Sequence, residues 1–138
     1  MMGNFMKKII LLGLVFGLGG CAATTDMMNN QYMSVIPTVT DLNGYWSGNN
    51  GPYAVTYSFK KDGTGLMCSS WNGKDSVEKL KVSGNEIIVQ SGLKQTIKSK
   101  TDSKLELKVN YYGGGSYQYS PDPNLQNASP YCEKALRN

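Results

Sequence analysis

The chain has 138 residues, 40% of them hydrophobic, with 14 Lys plus Arg against 10 Asp plus Glu and no histidine. This is the length of one ordinary domain, and the missing imidazole excludes Ser-His-Asp triads, Cys-His nucleophiles and histidine-based zinc sites. The formal charge of +4 comes from interspersed basic and acidic residues, so nucleic acid is not an expected partner.

Lys7 and Lys8 precede an apolar run from Ile9 to Phe16, and the run closes on Leu18-Gly19-Gly20-Cys21. A charged start, a short apolar middle and a small-residue exit make residues 1–20 a secretory signal peptide. The uncharged stretch from Ile9 to Gly20 is shorter than the roughly 20 residues a helix needs to cross a bilayer. The last four residues, LGGC, resemble the lipobox of bacterial lipoproteins. That resemblance implies export, diacylglycerol transfer to the Cys21 sulfur, cleavage before Cys21 and acylation of the new terminus. The implied partner is the lipid bilayer, held through acylated Cys21 by more than one chain. In Gram-negative lipoproteins an aspartate after the cysteine marks retention at the inner membrane. Ala22 stands there instead, which implies lipid anchoring in the cell envelope at the outer membrane. Loss of residues 1–20 would leave 118 residues and, without Lys7 and Lys8, a net charge of +2.

Residues 21–40 read as the lipidated terminus and a flexible tether, because Thr, Asn and Pro interrupt every apolar period. Met27, Met28 and Met33 offer soft-metal ligands, with gap-filling as the plainer account. From Leu42 the period becomes two. Tyr53, Val55, Tyr57 and Phe59 share one face of a strand, and Asp62-Gly63 turns the chain into a second near Gly65–Ser69. Trp71-Asn72-Gly73, Ser83-Gly84-Asn85, Ser91-Gly92 and Thr101-Asp102 supply further reversals. The clearest alternation sets Leu105, Leu107, Val109 and Tyr111 against Lys104, Glu106, Lys108 and Asn110. Only one helix is predicted, at the C-terminus, with Ser129 as N-cap, Pro130 at its first position and Glu133 in its first turn. Residues 41–138 therefore form one all-β domain, a small antiparallel meander closing into a barrel or strongly curled sheet with a short C-terminal helix. A two-sheet sandwich is the alternative.

With Cys21 committed to lipid, Cys68 and Cys132 are left in an oxidising compartment. A disulfide between them is expected, two buried thiols being the alternative. It would hold the short helix on the strands. The opening Leu42-Asn43-Gly44-Tyr45-Trp46 and the turn Asp62-Gly63-Thr64-Gly65 resemble small lipocalin-like envelope domains, in which a Gly-x-Trp sits on the first strand.

No catalytic group is predicted and no metal or cofactor is called for. Asp62, Asp75 and Asp102 are read as turn residues bonding nearby backbone N–H groups. Glu78, Glu86 and Glu106 are read as solvated strand faces, which leaves no carboxylate pair for glycosidase chemistry. Ser120-Pro121-Asp122-Pro123-Asn124 is a Pro-framed turn without the oxygen spacing of a calcium loop. Gly113–Gly115 lacks the lysine of a phosphate loop. Trp46 and Trp71 are assigned to the core, with a ligand platform as the alternative. Tyr111, Tyr112, Tyr117 and Tyr119 around the three glycines form the candidate binding surface, since tyrosine buries much area at little entropic cost; a hairpin whose tyrosines simply pack on the barrel rim is the alternative. Two functions follow. One is a non-catalytic, membrane-anchored envelope lipoprotein that binds a protein or cell-wall partner as an accessory or inhibitor. The other is a lipocalin-like carrier of a small apolar ligand, which needs a cavity of roughly 300 Å³ or more, lined by Trp46, Tyr57 and Leu107.

Overall fold

A computed structural model describes residues 30–110 and 113–137. The signal segment, Cys21, Met27, Met28, Tyr111 and Tyr112 lie outside the described residues. Eight strands follow in order: β1 Gly44–Asn50, β2 Tyr53–Phe59, β3 Thr64–Trp71, β4 Lys74–Ser83, β5 Glu86–Val89, β6 Lys94–Lys100, β7 Leu105–Val109 and β8 Ser116–Pro121. Each pairs antiparallel with the next, and β8 returns to β1 to close a barrel. The seam pairs Trp46 with Pro121, Ser47 with Ser120 and Gly48 with Tyr119. Closure leaves no edge to recruit another chain, which decides for the barrel over the sandwich. It depends on Gly48, where a β-carbon would collide with the Gln118 carbonyl oxygen and the Tyr119 ring.

The turns follow local chemistry. Asn72 (φ 51°) and Gly73 (φ 75°) are both left-handed, the requirement of a two-residue primed hairpin turn. Asp62 Oδ1 accepts from Thr64 N at 2.9 Å and from Thr64 Oγ1 at 2.7 Å, and these bonds hold its carboxyl below the usual carboxylate range. Asp75, expected in a turn, instead pairs with Ser70 inside the β3–β4 ladder.

Alternation places Tyr57, Phe59, Leu80, Val82, Ile87, Val89, Leu105 and Leu107 in one packed interior with Leu42 and Trp46. Outside the wall, helix α1 (Pro130–Arg137) lays Cys132 and Leu136 against Cys68, with Tyr45, Leu66 and Val77 around them. Cys68 and Cys132 form the predicted disulfide, 5.7 Å between Cα atoms. Ser129 Oγ accepts from Cys132 N at 3.1 Å, which is the predicted cap. The preceding loop folds around Asp122, 4% exposed. Its carboxylate accepts from Ser47 Oγ at 2.8 Å, Gln126 N at 2.8 Å and Asn127 N at 3.0 Å.

The second segment outside the wall is residues 30–40 of the expected tether, which are docked; residues 21–29 lie outside the described residues. From Asn30 onward the chain is laid on the barrel as a strap. Asn30 Nδ2 donates to Gln90 O at 2.9 Å, and Tyr32, in a short 3₁₀ turn (Tyr32–Ser34), is buried. Thr38 N donates to Val82 O and Thr40 N to Lys61 O. Lys81 Nζ donates to Tyr32 O at 2.9 Å and stands 4.3 Å from the centre of the Tyr32 ring. These bonds use backbone groups, the Asn30 and Lys81 side chains and one aromatic anchor, so they leave neither a helical nor a strand period in the sequence.

Candidate functional site

The two ends of the barrel differ. At one end, Leu42, Phe59, Val82 and Leu105 fill the interior, none more than 3% exposed. At the other, the β1–β2, β3–β4, β5–β6 and β7–β8 turns surround an open mouth, so the glycine-rich segment after Val109 belongs to its rim. The mouth leads into a cup of about 550 Å³ with apolar walls that include Val55, Met67, Leu93 and Val109. Ser69, Ser76 and Glu78 add polar groups on one side. Glu78 was expected on a solvated face. It lies on the same side of β4 as Leu80 and Val82, one layer nearer the opening.

Aromatic rings mark the rim. Tyr53 and Trp71 are 39% and 41% exposed, with ring centroids 5.6 Å apart. The expectation that Trp71 is core is therefore overturned, while Trp46 is core at 5% exposure. Trp71 is the last residue of β3, beyond the depth at which an inward side chain meets packed neighbours. Its position beside Asn72-Gly73 was the signal that could have placed it at a tip.

The four candidate tyrosines separate. Tyr117 is half-buried and lines the cup. Tyr119 is 1% exposed and cannot belong to an exposed edge. Strand alternation points both rings inward, but Tyr119 sits two residues farther along β8, roughly 7 Å deeper. There its ring meets Tyr57 edge-on at 5.0 Å and its hydroxyl donates to Asn50 Oδ1. Tyr111 and Tyr112 lie outside the described residues.

A polar layer lies in the barrel below the cup. Tyr57 Oη donates to Gln95 Oε1 at 2.8 Å. Gln95 Nε2 is buried with no hydrogen-bond partner among the described residues. Burial pushes the Tyr57 phenol well up and that of Tyr119 up to about 12. Both are neutral hydrogen-bond donors at physiological pH. Neither is a base or a nucleophile. Trp46, Tyr57 and Leu107, the expected lining of a carrier cavity, are packed against one another's neighbours in a single core. Among the described residues no three His, Cys, Asp or Glu side chains gather to hold a metal ion, and no helix is long and apolar enough to cross a membrane. Met33 is 86% exposed.

Residues 29–136 match the family model described as "Bacterial lipocalin LPS transport optimiser YedD". The chain belongs to this family. It is a non-catalytic envelope lipoprotein with an accessory role, and its place is the cell envelope. No curated protein and no solved structure matches the chain. The match begins at residue 29, so the docked strap falls within the family's shared region.

Proposed function

We propose, from this family membership, that the chain assists lipopolysaccharide transport as a tethered docking module that uses the mouth of its barrel to hold a protein of the transport machinery. Export, acylation of Cys21 and residence at the outer membrane belong to the same reading. The observation that carries it is the contrast between a filled interior and an open aromatic rim. Tyr53 and Trp71 place two large rings in water at the mouth, and Tyr117 continues this surface into the cup. Aromatic side chains half-exposed around a concave apolar floor are the composition of interaction hot spots. The cup is too open to enclose an apolar cargo, and the space beneath it is taken by Tyr57, Gln95 and Tyr119.

Photocrosslinking in the native envelope tests the reading. A photoreactive residue at position 71 or 117 should give a discrete adduct with a protein of lipopolysaccharide transport, and one at exposed Tyr131 on α1 should not. A stoichiometric apolar adduct in the native mass spectrum, with no crosslink at either rim position, would overturn it in favour of a carrier.

A further inference from the structure

The strap over residues 30–41 presents a face that no described residue covers. Met33, Ile36 and Val39 are 86%, 80% and 88% exposed, and they recur at every third residue. A chain near polyproline II makes three residues per turn. Val35 has φ −73° and ψ 131°, and Pro37 is held to the same φ region by its ring. The strap meets the barrel through buried Tyr32 and the bond from Thr38 N to Val82 O. Met33, Ile36 and Val39 form an apolar row turned away from those contacts.

Chain length and charge indicate what covers the row. Eight residues, 22–29, separate Cys21 from Asn30. Fully extended, the chain between those two positions spans at most about 30 Å. An acyl anchor at Cys21 therefore keeps the strap beside the bilayer. The β2–β3 turn is joined to the strap by the Thr40 N to Lys61 O bond and exposes Lys60 and Lys61. Lys81 lies at the Tyr32 end. The acids in the same region are Asp62, which belongs to that turn, and Asp41, which faces Lys100 at 3.8 Å. Basic residues outnumber acidic ones here, as anionic headgroups require.

We infer that Met33, Ile36 and Val39 rest on the bilayer that carries the Cys21 anchor, with Lys60 and Lys61 among anionic headgroups. The barrel then lies on its wall, and the mouth stays free for its partner. The acyl anchor makes this contact intramolecular, so a three-residue row suffices where it would fail as a free ligand. The inference rests on the reading that Cys21 is acylated, and the test separates the two.

The full chain, isolated from its own envelope with I36C carrying an environment-sensitive fluorophore, is reconstituted into phosphatidylethanolamine–phosphatidylglycerol vesicles containing brominated lipid. A second sample carries the fluorophore at K108C, on β7 four strands around the barrel from β3. The expected result is flotation with the vesicles, a blue shift and severalfold quenching at position 36, and neither spectral change at 108. Reversing Lys60 and Lys61 to glutamate should remove most of the quenching. Flotation with equal, water-like signals at 36 and 108 overturns the docking while leaving acylation intact. Failure to float, with an unmodified Cys21 mass, overturns both. Protection of position 36 in native envelope fragments but not in pure lipid assigns the row to a protein and also overturns the inference.

Discussion

Two segments lie outside the barrel wall, and they are held by opposite means. Helix α1 is eight residues long, too short to persist by its own hydrogen bonds. It is fixed by a disulfide and by the apolar contacts of Leu136. The strap has no covalent link to the barrel. It is held by backbone bonds to Val82 and Lys61, by the Asn30 side chain on Gln90 O, by Lys81 on Tyr32 O and by one buried ring. The helix buries Cys132 and Leu136 and leaves Tyr131 exposed, whereas the strap buries Tyr32 and exposes Met33, Ile36 and Val39. The difference separates a structural element from one with a surface left to use.

Breaking the staple should have the largest effect. The Cys68–Cys132 bond joins positions 64 residues apart, and chain entropy assigns such a closure about 4 kcal/mol. Replacing both cysteines by serine should lower the denaturation midpoint accordingly. Hydrogen exchange should show α1 opening before the strands, with the strap amides of Thr38 and Thr40 unchanged. Simultaneous loss of strap protection would show that the two segments are coupled and would end the comparison.

Alkaline titration separates the helix from what lies inside the wall. The raised phenols of Tyr57 and Tyr119 stay neutral in the fold, so their unfolded counterparts ionise first. The stability they contribute is complete below about pH 10, the ordinary tyrosine value, and is lost as pH rises above it, for Tyr119 toward about 12. The slope is about 1.4 kcal/mol per pH unit for each tyrosine. Tyr119→Phe should flatten the curve measured by chemical denaturation. Disulfide variants should displace that curve without changing its slope, whereas strap variants that free Tyr32, whose phenol is also raised by burial, should remove part of the slope.

A smaller loss is expected when the strap is lifted at one point. Gly63 has φ +90°, and a β-carbon there would run into the Thr38 carbonyl oxygen. Gly63→Ala should cost about 1–3 kcal/mol through backbone strain and the displaced strap. Exchange should quicken at Thr38 and Thr40 while α1 stays protected, the inverse of the cysteine result.

The same contrast explains what was legible in the chain. The helix announced itself through Ser129, Pro130 and the placement of Cys132, and the strands through alternation such as Leu105, Leu107 and Val109. The strap reads as flexible in the sequence because its residues follow neither the helical nor the strand period, and its partners Gln90, Lys81, Val82 and Lys61 are distant in the chain. At the mouth, Tyr117 and Tyr119 looked equivalent, since sequence gives the face of a strand but not the depth along a barrel. Gln95 gave no signal either. It falls in a mostly polar run, Lys94–Lys100, and only closure of the barrel places it under the cup beside Tyr57.

The smallest effects set one charged contact of each segment against the other. On the helix, Arg137 and Glu133 form an i,i+4 pair at 3.5 Å with both side chains about half exposed. Such pairs contribute about 0.3–0.5 kcal/mol and weaken with salt, so Glu133→Gln should be nearly silent in denaturant. On the strap, Lys81 donates to the Tyr32 carbonyl and stands over its ring, in a setting half removed from water. A charged donor on a backbone oxygen contributes more than an exposed ion pair, and the ring adds about 0.5–1 kcal/mol. Lys81→Met should therefore cost roughly 1–2 kcal/mol, with the loss persisting in high salt. Equal losses for the two variants, both abolished by salt, would mean that the strap is held no more firmly than a surface ion pair. The apolar row of Met33, Ile36 and Val39 would then have no fixed orientation to present.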